Sequence, residues 1–315
     1  MTDYQTPISL YGPTAAGKTS VAISLAQQLG GVIINADSLQ VYDDCATLTA
    51  RPDEEEMAAA DHRLYGFLSA GEGMDVASWL RLARHEMQQI QAEGKLPIFC
   101  GGTGFYLKAL EEGISTIPVP SEGRLNEAKN KLEALGILEF EAEVYRFDPK
   151  LIGRFEVGDA QRLLRAWSVF KDTGKPLSYW QQQPKVGGVG ALNSFVLLPN
   201  REALYGRINA RFQNMLDRGA LEEVASVARR YTHPDKIPIS QALGFKELLA
   251  VTRGRCSIDE ALESGSKLSR NYAKRQLTWA RNQTKSAIKL PYMPHIAQYN
   301  ENLSDLIISF VSQKS

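Results

Sequence analysis

The chain is poor in cysteine, with Cys45, Cys100 and Cys256 alone, and these three lack metal-ligand spacing. That excludes a disulfide framework and a cysteine-built zinc site, and it points to a reducing compartment. No apolar run is long enough to span a bilayer, and the opening MTDYQTP has no basic-then-apolar leader pattern. A cytoplasmic protein with no membrane partner is expected. Net charge is also absent, with 36 basic residues against 36 acidic ones, which taken globally argues against a nucleic-acid partner. One local shortage reverses that argument. Between Glu263 and Glu301 there is no acid, whereas Lys267, Arg270, Lys274, Arg275, Arg281, Lys285 and Lys289 are all basic. A field of one sign can steer a polyanion even on a neutral molecule.

Short apolar runs at 7–11, 32–36, 96–100 and 194–199 fit buried strands. Helical periodicity separates them at 18–29 and 76–93, continues at 202–230, and returns at 240–252, 258–288 and 303–312. Strand–loop–helix alternation implies an α/β fold with a parallel sheet. Residues 124–147 are charged and helical in character without strand signals. The expected organisation is a core of 1–116 and 158–315, interrupted by a small helical insertion at 117–157 and ending in a helical C-terminal region. A helix at 159–173 and a Gln-, Pro- and Gly-rich loop at 181–190 follow the insertion. Nothing in the pattern demands more than a monomer.

Between the first strand and its helix stands Gly12-Pro13-Thr14-Ala15-Ala16-Gly17-Lys18-Thr19. This is a phosphate-binding loop, so the core is expected to be P-loop NTPase-like. Its backbone amides and the helix N-terminus cradle phosphate oxygens, Lys18 reaches the terminal oxygens, and the Thr19 hydroxyl can ligate magnesium. A nucleotide triphosphate is the usual occupant, making the chain a candidate nucleotide- or ATP-binding protein. One part of that reading is missing. The LPIFC run ends in Cys100 and Gly101-Gly102-Thr103-Gly104, with no carboxylate to organise the metal. The one acid at a strand end is Asp37, followed by Ser38, Leu39, Gln40 and Tyr42.

GPTAAGKT, DSLQVY, Leu48-Thr49-Ala50-Arg51-Pro52, Asp61-His62-Arg63-Leu64, GGTGFYLKAL, the block from Asp159 to Ala166, and the block from Ala273 to Trp279 occur in this order. Together they resemble the signature set of bacterial tRNA dimethylallyltransferases, from about residue 8 to residue 282. The chain departs from that family at Leu48 and Arg51, where Gly and Lys are common, and at Gly158-Asp159-Ala160, where Asn-Asp-Pro is usual.

The resemblance implies transfer of a dimethylallyl group from dimethylallyl diphosphate to the exocyclic amine of the adenosine immediately 3′ of the anticodon. The loop, residues 12–19, would then hold a leaving diphosphate, with Mg²⁺ on Thr19 and with Arg207 and Arg211 closing over it. Asp37 would accept the amine proton, and Thr103 would contact the reacting nucleoside. Contacts to the tRNA anticodon arm are expected from Asp37, Ser38, Leu39, Gln40 and Thr103, from Gln161, Arg162, Leu163, Leu164 and Arg165, and from Gly244, Lys246, Lys274, Arg275 and Arg281, with the insertion also on the anticodon arm. Residues alone leave alternatives open. A small-molecule P-loop kinase or prenylation of free adenine nucleotide would use the same loop, and a non-enzymatic RNA-binding module would use the basic stretch.

Overall fold

In the computed structural model, residues 6–284, 286–292 and 297–313 are described. The chain divides into two compact units, one of residues up to Glu111 together with those from Val189 onward, the other Glu112–Gly188.

The first unit is built on a parallel sheet of six strands among the described residues: β1 Ile8–Tyr11, β2 Gly31–Asn35, β3 His62–Arg63, β4 Leu96–Gly101, β5 Asn193–Pro199 and β6 Ile288–Tyr292. Their order is β3-β2-β4-β1-β5-β6. Ile8 pairs with Ile98 on one side and Asn193 on the other, and Ile33 also faces Ile98 across β2 and β4. The central strands are buried on both faces, which is why they read as unbroken apolar runs. Among the helices that accompany the sheet are α1 Lys18–Leu29, α2 Val76–Ala92, α3 Gly104–Glu112, α4 Arg201–Asp217, α5 Ala220–Arg230, α6 Phe245–Thr252, α7 Ile258–Gln283 and α8 Ala297–Ser312. Val21, Ala22 and Leu25 of α1 pack on Ile8, Leu10 and Ile98, and Leu303, Ile307 and Val311 of α8 close the same cluster. A second cluster joins Val41, Tyr42 and Leu48 to Phe212, Val224, Ile239 and Phe245.

Three expectations need correction here. The helix expected over 258–288 stops at Gln283, and Ile288–Tyr292 is strand β6 paired with β5. Pro291 in that segment cannot continue a helix but is tolerated at a sheet edge. The stretch 202–230 is two helices, because Gly219 adopts φ 95° between them. The 240–252 stretch begins with a short 3₁₀ turn, Pro238–Gln241, and becomes α-helical only at Phe245.

The second unit is larger than the expected insertion of 117–157. Helices Glu122–Leu135, Ile137–Phe147 and Ala160–Thr173 share one core of Phe140, Val144, Leu151, Leu163, Ala166 and Trp167. The helix expected at 159–173 therefore belongs with this unit, because its apolar stripe supplies half of that core. Trp167 Nε1 donates to Glu143 at 2.9 Å, and Lys131 pairs with the same carboxylate at 2.8 Å. Buried Asp148 accepts from the Ser178 amide at 2.9 Å, satisfying a carboxylate that would otherwise be costly. Two short antiparallel strands, Ile114–Ser115 and Lys185–Val186, bring the ends of the unit together.

Candidate active site

The loop after β1, the turn after β2 and the glycine turn after β4 all leave the same carboxyl edge of the sheet. Since β4 lies between β1 and β2, the 101–104 turn stands between the phosphate loop and Asp37. Ligands of open α/β sheets bind along this edge.

A cavity of about 1140 Å³ occupies it. Thr14, Ala15, Gly17, Lys18 and Thr19 line it together with Asp37, Gln40, Arg51, Arg207 and Arg211, so the anion cradle, the strand-end acid and both proposed arginines meet in one space. Gly12, Pro13 and Ala16 are buried and are not among the residues that line the cavity. Gly17 starts α1 with φ 81°, a left-handed conformation that aims the first helical amides outward. Lys18 Nζ donates to the Pro13 carbonyl at 2.9 Å, and Arg211 Nη1 donates to Thr14 Oγ1 at 3.0 Å. Burial pulls the Lys18 ammonium below the ordinary lysine range, with Asp37 opposing and Arg211 adding to the drop. Arg211 is lowered likewise, by burial first and then by Arg207, against Asp37. Desolvated cations in this arrangement are primed for a compact anion.

Asp37 is held as rigidly as the loop. Its amide donates to Asn35 Oδ1 at 2.8 Å, while Asn35 Nδ2 donates to the Asp37 carbonyl at 3.0 Å. Its Oδ1 accepts from the Leu39 amide at 3.0 Å, and among the described residues Oδ2 accepts no hydrogen bond. Thr103 Oγ1 accepts from the Ser38 amide at 3.0 Å and donates to Ser38 Oγ at 3.2 Å, tying the glycine turn to the Asp37 turn. Gln40 Nε2 donates to the Ala50 and Thr49 carbonyls at 2.6 and 3.2 Å, so its amide braces the cavity wall. Beside Asp37 opens a smaller pocket of about 70 Å³, lined by Leu39, Leu48, Ile208, Phe212, Met215 and Tyr272 among others.

A hard cation would find the Thr19 hydroxyl here, while no cluster of three His, Cys, Asp or Glu side chains occurs among the described residues. That donor set fits magnesium, which keeps several waters and shares diphosphate oxygens, better than it fits an ion needing a full protein cage.

The basic stretch forms the exposed side of α7. Lys267, Lys274, Arg275 and Arg281 are exposed. Arg270 is half-buried and donates to Asn209 Oδ1 at 2.6 Å, so it ties α7 to α4 instead of joining that surface. Lys285 lies outside the described residues. Lys246 is exposed on α6, whereas Gly244 is buried against the Phe212 ring, so packing accounts for it. In the second unit Gln161 and Arg162 are exposed, Arg165 Nη2 donates to the Pro118 carbonyl at 3.3 Å, and Leu164 packs on the core. Leu163 is fully buried there, which removes its side chain from any RNA surface.

A family model described as "IPP transferase" matches residues 40–283, and one described as "Isopentenyl transferase" matches residues 7–71. The chain belongs to the IPP transferase family. The tRNA dimethylallyltransferase of Rhizobium meliloti (strain 1021) is 42% identical over 280 residues, 88% of this chain and 91% of that protein. That of Paramagnetospirillum magneticum is 41% identical over 316 residues, 100% of this chain and 97% of its own. The crystal structure of the tRNA isopentenylpyrophosphate transferase of Bacillus halodurans superposes with a TM-score of 0.70 at 28% identity, covering 98% of both chains. A eukaryotic dimethylallyltransferase acting on tRNA shares the fold with a TM-score of 0.78 at 24% identity, over 98% of this chain and 79% of its own.

Within this IPP transferase, several residues to which the sequence reading gave no role hold the site together. Glu223 on α5 accepts from the Thr47 and Leu48 amides at 2.8 and 3.1 Å, fixing the wall around 46–50. Arg51 lines the cavity while donating to the Tyr42 carbonyl at 2.9 Å. The buried Tyr272 hydroxyl is pushed up in pKa by burial and then by Asp37. Glu223 has no motif of its own, whereas Arg51 belongs to the 48–52 block and Tyr272 directly precedes the block Ala273–Trp279.

Proposed function

We propose that the chain is a tRNA dimethylallyltransferase: it transfers the dimethylallyl group of dimethylallyl diphosphate to the exocyclic amine of the adenosine 3′ of the anticodon and releases diphosphate. The observation that carries this reading is that one cavity is lined by both the phosphate loop and Asp37. A kinase reading calls for a strand-end acid that the chain lacks after Cys100, and free-nucleotide prenylation gives the exposed cations of α7 no role. Neither is favoured, since the relatives and structural neighbours carry names that specify tRNA.

The chemistry follows from the residues. An exocyclic adenine amine is a weak nucleophile, because its lone pair is delocalised into the ring. As the new C–N bond forms and the C–O bond to diphosphate breaks, the amine must lose a proton. Asp37 Oδ2 accepts it, and Thr103 orients the nucleoside. Negative charge grows on the diphosphate, where the loop amides, Lys18, Arg207 and Arg211 meet it. Thr19 would hold Mg²⁺, which would neutralise part of that charge. The apolar side of the smaller pocket, Leu39, Leu48, Ile208 and Phe212, suits the prenyl chain, excluding water from the carbon under attack. Lys246, Lys274, Arg275 and Arg281, with Gln161, Arg162 and Arg165 of the second unit, engage the anticodon arm, from which the target base must be splayed out. The protein works in the cytoplasm as a monomer.

The test is direct. Labelled dimethylallyl diphosphate and Mg²⁺ are offered with unmodified tRNA, with AMP, or replaced by ATP and nucleosides. Label entering tRNA alone is the expected result; label entering AMP equally well, or phosphate transfer without prenylation, would overturn it.

A further inference from the structure

Gln276 is a buried polar residue on α7, and every polar group of its side chain is used. Its Oε1 accepts from the Thr14 amide of the phosphate loop at 2.8 Å. Its Nε2 donates to the Gly102 carbonyl in the turn after β4 at 2.8 Å. Its own backbone carbonyl accepts from the Tyr11 hydroxyl at 3.1 Å, anchoring the residue to the end of β1. Thr14 in turn carries Arg211 on its hydroxyl, and Gly102 precedes Thr103, which holds the Asp37 turn. Space is tight around this link. A Cβ on Gly102 would stand 2.6 Å from Gln276 Nε2 and 3.1 Å from Asp37 Oδ2.

We infer that Gln276 is a positioning residue that sets the spacing between the diphosphate cradle and the Asp37–Thr103 pair. Displacement at the prenyl carbon needs the amine, the carbon and the departing oxygen in line. The cradle fixes the oxygen, and the Asp37 turn fixes the amine. One planar amide spans the two, donating on one side and accepting on the other. A buried primary amide does this without adding charge beside Asp37 or Lys18, which an acid or a base in its place would do. Because Lys274 and Arg275 directly precede Gln276 on α7, a polyanion seated on that helix touches the element that carries the link. The inference rests on the reading that the loop holds diphosphate and Asp37 the amine.

Two variants test it. Gln276→Met keeps the volume and removes both hydrogen bonds. It should lower kcat by about tenfold or more while leaving KM for donor and tRNA within about threefold, because geometry and not binding is lost. Gln276→Glu keeps the shape and adds a titration. When protonated, the introduced carboxyl donates to the Gly102 carbonyl and accepts from the Thr14 amide; when ionised, it can only accept. Burial beside Asp37 raises the pKa of that carboxyl. The ratio of its kcat to wild-type kcat should therefore climb as pH falls from about 9 to about 6. Wild-type kcat in both variants, a loss confined to KM, or a ratio flat with pH would overturn the inference. The Glu ratio is read within one folded protein and stands even if the Met variant does not fold. Wild-type protein that transfers no prenyl group to tRNA would instead overturn the function on which this rests.

Discussion

Positive charge appears twice in this protein, in two very different settings. Lys18 and Arg211 sit in the wall of the cavity, where burial lowers both pKa values. Lys267, Lys274, Arg275 and Arg281 stand on the open side of α7. Desolvated charges interact strongly over short range and suit a small, dense anion whose charge grows during reaction. Solvated charges are screened, act weakly one at a time and suit a long polyanion that releases counterions along its length. On the proposed function the same residue types divide into a catalytic set and a docking set, and the division follows from solvent access.

That division can be broken at several points. Asp37→Asn removes the proposed proton acceptor opposite the buried set; single-turnover prenyl transfer should slow by about 10²–10⁴-fold, with tRNA affinity nearly unchanged. Lys18→Ala should cost about 10²–10³-fold in transfer rate and weaken inhibition by pyrophosphate, again sparing tRNA affinity. The exposed set should behave in the opposite way. Changing Lys274 and Arg281 together to Ala should weaken tRNA binding and make the plot of log affinity against log salt shallower by roughly 1–2, with kcat at saturating tRNA preserved.

A smaller effect sharpens the contrast. The folded-state pKa of Lys18 lies below its ordinary value, so its charged form is penalised on folding. In the ligand-free protein this penalty is fully present below the folded pKa and fades as pH rises from there toward the ordinary lysine value. Pyrophosphate supplies the missing negative charge and should draw a proton onto Lys18 within that window. Calorimetry in alkaline buffers of different ionisation enthalpy should record proton uptake on pyrophosphate binding. Lys18→Ala should abolish it, whereas the double variant of α7 should retain it.

Much of this was readable residue by residue. Strands β1, β2, β4 and β5 announce themselves as apolar runs because both faces are covered, and GPTAAGKT can hardly be anything but an anion cradle. The exposed cations of α7 were visible as a stretch without acids. Strand β6 was not, because Lys289 and Pro291 interrupt its apolar signal and its pairing with β5 is a long-range contact. Nor were the limits of the second unit, since the helix Ala160–Thr173 has an amphipathic pattern that would serve either unit, and only Leu163, Ala166 and Trp167 meeting Phe140 and Val144 decide the matter.

What the sequence by itself determined was the set of reactive parts: loop, strand-end acid and basic stretch, each carried by a local pattern of a few residues. The tertiary structure decided which parts share a space and which cations lose their water. It brought Gln276 from α7 to Thr14 and Gly102, and it buried Leu163 and Gly244 away from any RNA surface. The physical reason is that motif chemistry is encoded over short spans, while burial and hydrogen-bond partnership arise between residues far apart in the chain, as with Thr14 and Gln276.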